Sequence, residues 1–269
     1  MLSAESTRLT DDLWLAAHDG VKGARLIGDW PLGVGLAAGL LAELIHGGCL
    51  ELRDGELFRT TKAAAALPTD PALRPLLVTM HAEEQTRPAT PARVRVTARA
   101  REEQWGPRAS ECGGWPPPVL QETRHRRPGH QLHAWISYLA YERRAEARVL
   151  DRLSRTGLVQ REDRRRLFGG TTVRYVPCDS NASGTPANTI THTVQAGRAL
   201  PCSGVVLAGL FLATGLHHHA LATLSPSERS MLTRQIQLGL DDKATTGMQA
   251  MLRELLRAAD AAVGEAAMR

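Results

Sequence analysis

From Pro31 to Ile45 the chain is apolar on almost every side: Leu32, Leu36, Leu40, Leu41, Leu44 and Ile45 recur at three- and four-residue intervals. That spacing predicts a helix. Pro31 suits its first turn, where a missing N–H costs nothing, and Gly47-Gly48 ends it. A helix with no polar face has nothing to show to water, so this one is expected in the interior with the other elements laid over it.

Those elements are mainly helical. Leu9, Leu13 and Ala16, with Trp14 and Ala17, fit a first amphipathic helix closed by His18-Asp19-Gly20. Cys49 to Leu52 and Glu56 to Phe58 flank Asp54-Gly55, a strong local hairpin signal. Leu132, Trp135, Ile136 and Leu139, followed by Val149, Leu150 and Leu153, predict one long helix or two joined near Ala140-Tyr141, with Gly157 as the stop. A second hairpin is expected from Leu158-Val159 through Arg166 to Gly170 and on to Thr172–Val176. Helix followed by hairpin thus occurs twice, without enough identity for a sequence repeat. Further helices are expected at Val205 to His217, Ser227 to Leu240 and Met248 to Val263. The fold class is mainly α, a single compact helical domain with small β-hairpins. It spans residues 9–263 between an N-terminal tail (1–8) and a C-terminal tail (264–269).

Charge narrows the partners. The formal net charge is +5 with a pI near 9.4, which attracts phospholipid, nucleic acid or acidic protein alike. Of 33 basic residues only Lys22, Lys62 and Lys243 are lysines. Arginine's planar fork suits phosphate, although a GC-rich genome yields the same bias. The Pro-, Arg- and Gly-rich stretch 86–131 holds nine arginines against four glutamates, equal to the whole excess. It reads as a solvated loop or as an electrostatic tether. Cys49, Cys112, Cys178 and Cys202 form no Cys-x-x-Cys pair, which suits a reducing cytosol. Met1 to Asp12 lacks the pattern of a secretory signal, and the longest apolar run, Gly204 to Leu216, is short of the roughly 20 residues that span a bilayer. Membrane contact is therefore expected from one side, at the cytoplasmic face.

Few residues read as chemistry. Consecutive helical residues point about 100° apart, so His217-His218-His219 cannot converge on one ion, and a solvated helix end explains them. Ser180 to Gly184 is neither a nucleophile elbow nor a phosphate loop. Asn181-Ala182-Ser183 fits a glycosylation acceptor only by chance. There is no glycine-rich nucleotide loop, no carboxylate pair spaced for acid–base work and no cofactor signature, so no enzymatic activity and no metal is expected. Trp30 fits either the core or a membrane interface. Arg143 lies four residues from Leu139 and seven from Ile136 and Leu150, near the apolar stripe if the helix is continuous. A charge there needs a partner: a local carboxylate such as Glu142 or Glu146, or a phosphate.

The block from Thr10 to Thr60, with its Gly28-Asp29-Trp30 leading into a Gly- and Leu-rich helix that closes in Ala42-Glu43-Leu44, resembles the Golgi phosphoprotein 3 family, or GPP34 domain. The likeness extends from Leu9 to Val263 and is densest there and in His133 to Val176. It implies a peripheral membrane protein that holds a phosphoinositide headgroup, such as phosphatidylinositol 4-phosphate, and acts as an adaptor for client proteins. Eukaryotic relatives retain glycosyltransferases in the Golgi; the Arg- and Ala-rich composition here looks more like the bacterial members. In the family the headgroup meets a tryptophan and several arginines. Trp30 stands at the tryptophan position within a two-residue gap, and Arg143 and Arg148, in the run from Tyr141 to Leu153, match two of the arginines. Ala37 and Glu146 stand where two further arginines are expected, and Arg144 is placed to substitute in part. The resemblance puts a membrane-inserting hairpin at Thr60 to Pro68, where the four alanines also read as a helical linker.

A nucleic-acid-binding alternative rests on the helix–hairpin units and on the arginines from Arg161 to Arg166. No predicted helix shows the polar base-reading face that sequence readout requires.

Overall fold

The computed structural model describes residues 8–65, 67–86, 129–165, 171–241 and 247–268. Helix α2 (Asp29–His46) is its axis, and every residue from Leu32 to Ile45 is buried. Five helices pack around it: α1 (Leu9–Ala16), α5 (Leu132–Ala140), α6 (Arg144–Arg155), α8 (Cys202–Ala213) and α11 (Met248–Ala267). The all-apolar pattern thus becomes an all-round contact surface. Each leucine so buried is worth roughly 1.5–3 kcal/mol. Two glycines set how close the neighbours come. A Cβ at Gly39 would lie 2.5 Å from Thr10 Cγ2 of α1, and one at Gly35 would lie 2.5 Å from Thr214 Cγ2 beyond α8.

The first hairpin pairs β1 (Leu50–Arg53) with β2 (Glu56–Arg59) through Asp54 and Gly55, both at positive φ (52° and 75°) as a tight hairpin turn requires. Its backbone reaches α11, where Gly55 N–H donates to Glu254 and Leu52 N–H to Met251 Sδ. A third strand, β3 (His130–Gln131), joins it with Leu57 opposite His130. The stretch 86–131 therefore begins at the last residue of α4 (Arg74–Thr86) and ends in a sheet, while 87–128 lie outside the described residues. After β2, Thr61–Ala65 form a short helix, α3, in agreement with the linker reading of Thr60 to Pro68. The second hairpin pairs β4 (Val159–Arg165) with β5 (Thr171–Pro177); its tip, 166–170, is outside the described residues.

The segment after His133 forms two helices joined at Ala140-Tyr141, one of the two arrangements expected: Glu142 (φ 51°) and Arg143 (φ 58°) adopt left-handed backbone, so α5 and α6 are separate and Arg143 is on neither stripe. Two boundaries are corrected. The last helix runs on to Ala267, so the stretch from Gly264 is helical and not a tail. Helix α8 ends at Ala213, and the three histidines belong to a separate short helix, α9 (His217–Ala220), after Gly215 at φ 74°. Helices α7 (Thr185–Gln195) and α10 (Pro226–Asp241) complete the described elements. None of the described helices is long and apolar enough to cross a membrane, and no group of metal-ligating side chains occurs among the described residues.

One polar cluster lies in the core. Arg152 of α6, 2% exposed, donates to Asp11 at 2.8 Å, Glu43 at 2.8 Å and Asp70 at 3.2 Å, and also to Thr10. It ties α6 to α1, α2 and the loop before α4.

Candidate functional site

An open cleft of ≈ 920 Å³ lies where the end of α1, the loop after it, the start of α6 and the second hairpin meet. Trp14 and His18 come from α1 and its end, Gly23 and Arg25 from the loop, Glu142 and Arg143 from the kink, Glu146, Ala147, Leu150, Asp151 and Ser154 from α6, and Arg161 and Val173 to Tyr175 from the hairpin.

The loop is closed on itself. Asp19 N–H bonds Ala24 O at 2.8 Å and Leu26 N–H bonds Ala17 O at 2.9 Å, which places Arg25 opposite His18. Arg174 Nε donates to Gly23 O at 3.3 Å and fastens the loop to the hairpin. A Cβ at Gly20 would come within 2.2 Å of Ser180 O, so the loop also packs backbone to backbone on the turn after β5.

Glu146 is the hub of the floor. Its side chain is 6% exposed, and Oε1 accepts Trp14 Nε1–H at 3.4 Å and an N–H of Arg25, while Oε2 lies 3.6 Å from Arg143 Nε. Asp29 at the rim is shared by Arg25 and by Arg143, which reaches it at 3.1 Å. Partial burial raises the Asp29 pKa, but the hydrogen bond from Arg143 and the charges of Arg25 and Arg143 outweigh it and hold the carboxyl below its ordinary value. His18 stacks on Trp14 with ring centroids 3.8 Å apart and gives its Nδ1–H to Trp14 O at 2.7 Å. Burial, reinforced by Arg25, Arg174 and Arg143, lowers its pKa to about 4, so the ring is neutral at physiological pH. Arg161 pairs with Asp163 at 3.2 Å. The first turn of α6 lines the cleft through Glu146 and Ala147, while Arg144 N–H is taken by Tyr141 O.

Of the lipid-contact candidates Trp30, Arg143, Arg144 and Arg148, only Arg143 lines this cleft, together with Glu142 and Glu146, the carboxylates expected beside it. Arg144 stacks over Tyr138 at 4.3 Å and pairs with Glu142 at 2.9 Å. Arg148 is half-buried one turn further on, its Nε buried with no hydrogen-bond partner. Trp30 packs its ring on the core and donates Nε1–H to Ala262 O at 3.1 Å, so its polar edge holds the last helix. It nevertheless follows Asp29, the partner of Arg143. Ala37 is fully buried in α2. Sequence reading missed Trp14, His18, Arg25, Arg161 and Arg174 as neighbours, because three distant segments supply them. The nearest signal was Arg25, three residues before Gly28 within the family-like block.

The fold and the cleft together define a mainly helical domain with an arginine-lined surface pocket and no membrane-spanning helix among its described residues. The family model of Golgi phosphoprotein 3 (GPP34) matches residues 9–104 and 114–259, and the chain belongs to that family. No curated protein matches it.

Proposed function

We propose that this is a peripheral membrane protein whose cleft receives the anionic headgroup of a phospholipid at the cytoplasmic face of a membrane, while another surface holds a client protein. The family puts a phosphoinositide, phosphatidylinositol 4-phosphate in particular, first among candidate headgroups. The observation that carries the reading is the convergence of Arg25, Arg143, Arg161 and Arg174 on one open cleft. Arginine forks grip phosphate bidentately. Arg143 is the direct contact in this reading. Arg144, stacked on an exposed tyrosine beside it, faces the lipid surface; Arg148 adds positive charge behind it, and Trp30 holds the turn that carries Asp29. No geometry among the described residues favours the nucleic-acid alternative.

Co-sedimentation with vesicles tests this. Wild type is expected to bind vesicles containing phosphatidylinositol or its 4-phosphate and not neutral phosphatidylcholine vesicles, and Arg143→Ala with Arg174→Ala to bind several-fold less. Binding that follows total vesicle charge and survives both substitutions would refute the cleft as the headgroup site.

A further inference from the structure

We propose that two apolar projections beside the cleft, Val21 on the loop after α1 and Tyr141 at the kink before α6, enter the interfacial layer of an anionic bilayer and seat the protein on it. This rests on the headgroup reading above and adds the surface that holds the membrane around the headgroup.

Exposed apolar side chains scattered singly need no explanation. These two are tied together by the arginines that follow them. Arg25, four residues after Val21, and Arg143, two after Tyr141, share both Asp29 and Glu146. Val21 is 79% exposed and Tyr141 59%, so each stands clear of the core while its neighbouring arginine joins the same cluster of charges.

Each projection is also built to leave water cheaply. Asp19 Oδ1 accepts the N–H of Val21 at 3.0 Å and of Lys22 at 2.5 Å, and Gly23 N–H closes the turn on Asp19 O at 2.7 Å. The loop tip therefore presents no unpaired backbone donor, which is the main cost of placing a loop against lipid. At the kink, the Arg144 guanidinium lies 4.3 Å from the ring centre of Tyr138 and 5.6 Å from that of Tyr141. Tyr138 meets the buried Trp135 edge-on at 5.6 Å, which anchors this stack to α5. A tyrosine has an apolar ring and a wet hydroxyl, the combination that favours the boundary between headgroups and acyl chains.

A cation accompanies each projection. Lys22 is exposed at the loop tip. Arg144 gives one N–H to Glu142 at 2.9 Å and one to Tyr138 O at 3.4 Å, which leaves others of its five for lipid phosphates. Glu142 is itself exposed, so its ion pair is weak competition for those phosphates. An apolar tip with a cation beside it, present on both the loop and the kink, matches a bilayer whose phosphates lie just above its apolar layer. Val21 and Tyr141 do not line the cleft, so a headgroup free in solution gains nothing from them.

The test uses the full chain with Val21→Ser, Tyr141→Ser and both together, on phosphatidylcholine vesicles holding phosphatidylinositol 4-phosphate, beside calorimetry with water-soluble glycerophosphoinositol 4-phosphate. Circular dichroism checks that each variant is folded. Each single substitution is expected to weaken vesicle binding by about three-fold or more and the pair by about ten-fold, with affinity for the soluble headgroup unchanged, whereas Arg143→Ala weakens both. Tyr141→Trp is expected to show more quenching than wild type on vesicles of brominated phosphatidylcholine. Vesicle binding unmoved by the double substitution, or no added quenching in Tyr141→Trp, while Arg143→Ala still weakens binding, overturns the proposal and leaves the headgroup reading standing. Loss of soluble-headgroup affinity in the serine variants overturns it too, by making these residues part of the cleft. A dimer of the full chain that the double substitution dissolves in sedimentation equilibrium would give the surface to a second copy and likewise overturn it. Binding that ignores Arg143, or no binding to any vesicle, overturns both.

Discussion

Arg152 and His18 show how much depends on single side chains that carry charge, or could carry it, inside this protein. Arg152 neutralises Asp11 and Glu43, both nearly inaccessible to water. Arg152→Met leaves two buried carboxylates without a cation and is expected to lower stability by about 3–5 kcal/mol, read from the urea midpoint. His18 has a folded pKa of about 4 against an ordinary 6.5, chiefly through burial. A depressed pKa contributes stability that is present above pH 6.5 and lost as the pH falls through about 4. The gap corresponds to on the order of 3 kcal/mol. Asp11 runs the other way, because burial raises it to about 6 against the pull of Arg152 and its contribution is lost as the pH rises through that value. The His18 part is isolated by subtracting His18→Gln from wild type. That difference should shrink between pH 6.5 and 4 by about the stated amount, and a flat difference would remove His18 as the acid-sensitive group.

Among the elements, the kink between α5 and α6 and the approach of α1 to α2 make opposite predictions for glycine. Glu142 and Arg143 hold left-handed backbone that glycine adopts freely and other residues hold at a cost of about 1 kcal/mol or more. Glu142→Gly is therefore expected to raise the melting temperature slightly while keeping α6 in place, whereas an unchanged or lower melting temperature would deny strain at the kink. Gly39 lies inside a helix, where alanine normally adds about 1 kcal/mol of stability. Here its Cβ would strike Thr10 Cγ2, and overpacking of this kind costs about 1–3 kcal/mol. Gly39→Ala is thus expected to destabilise by on the order of 1 kcal/mol, with Thr10→Ser in the same chain restoring part of the loss.

For the whole molecule, the last helix is closed onto the central one by Trp30, whose N–H meets Ala262 O. Trp30→Phe is expected to speed amide exchange along 248–267 more than elsewhere while leaving vesicle binding unchanged. Loss of vesicle binding with unchanged exchange would return Trp30 to the membrane surface. Much of the architecture was legible in advance: the axis from its unbroken apolar periodicity, the first hairpin from Asp54-Gly55, and the family block around Gly28-Asp29-Trp30. Local patterns of this kind need only neighbours in the chain. Helices α4 and α7 were not legible, since their few apolar positions are buried by contacts made elsewhere in the fold. The cleft was legible through Arg143 and its local carboxylates Glu142 and Glu146; Arg25 and Asp29 were not, because they come from a segment more than a hundred residues earlier, and Arg174 comes from the second hairpin. By itself the sequence determined the helical class, the buried axis, the turn chemistry and an arginine-rich surface, all properties of residue type and spacing. Only the tertiary structure decided that Trp30 faces a helix, that Arg152 is a core cation and that Glu146 neutralises the arginines of the cleft, because charge pairing acts over ångströms in space and not along the chain.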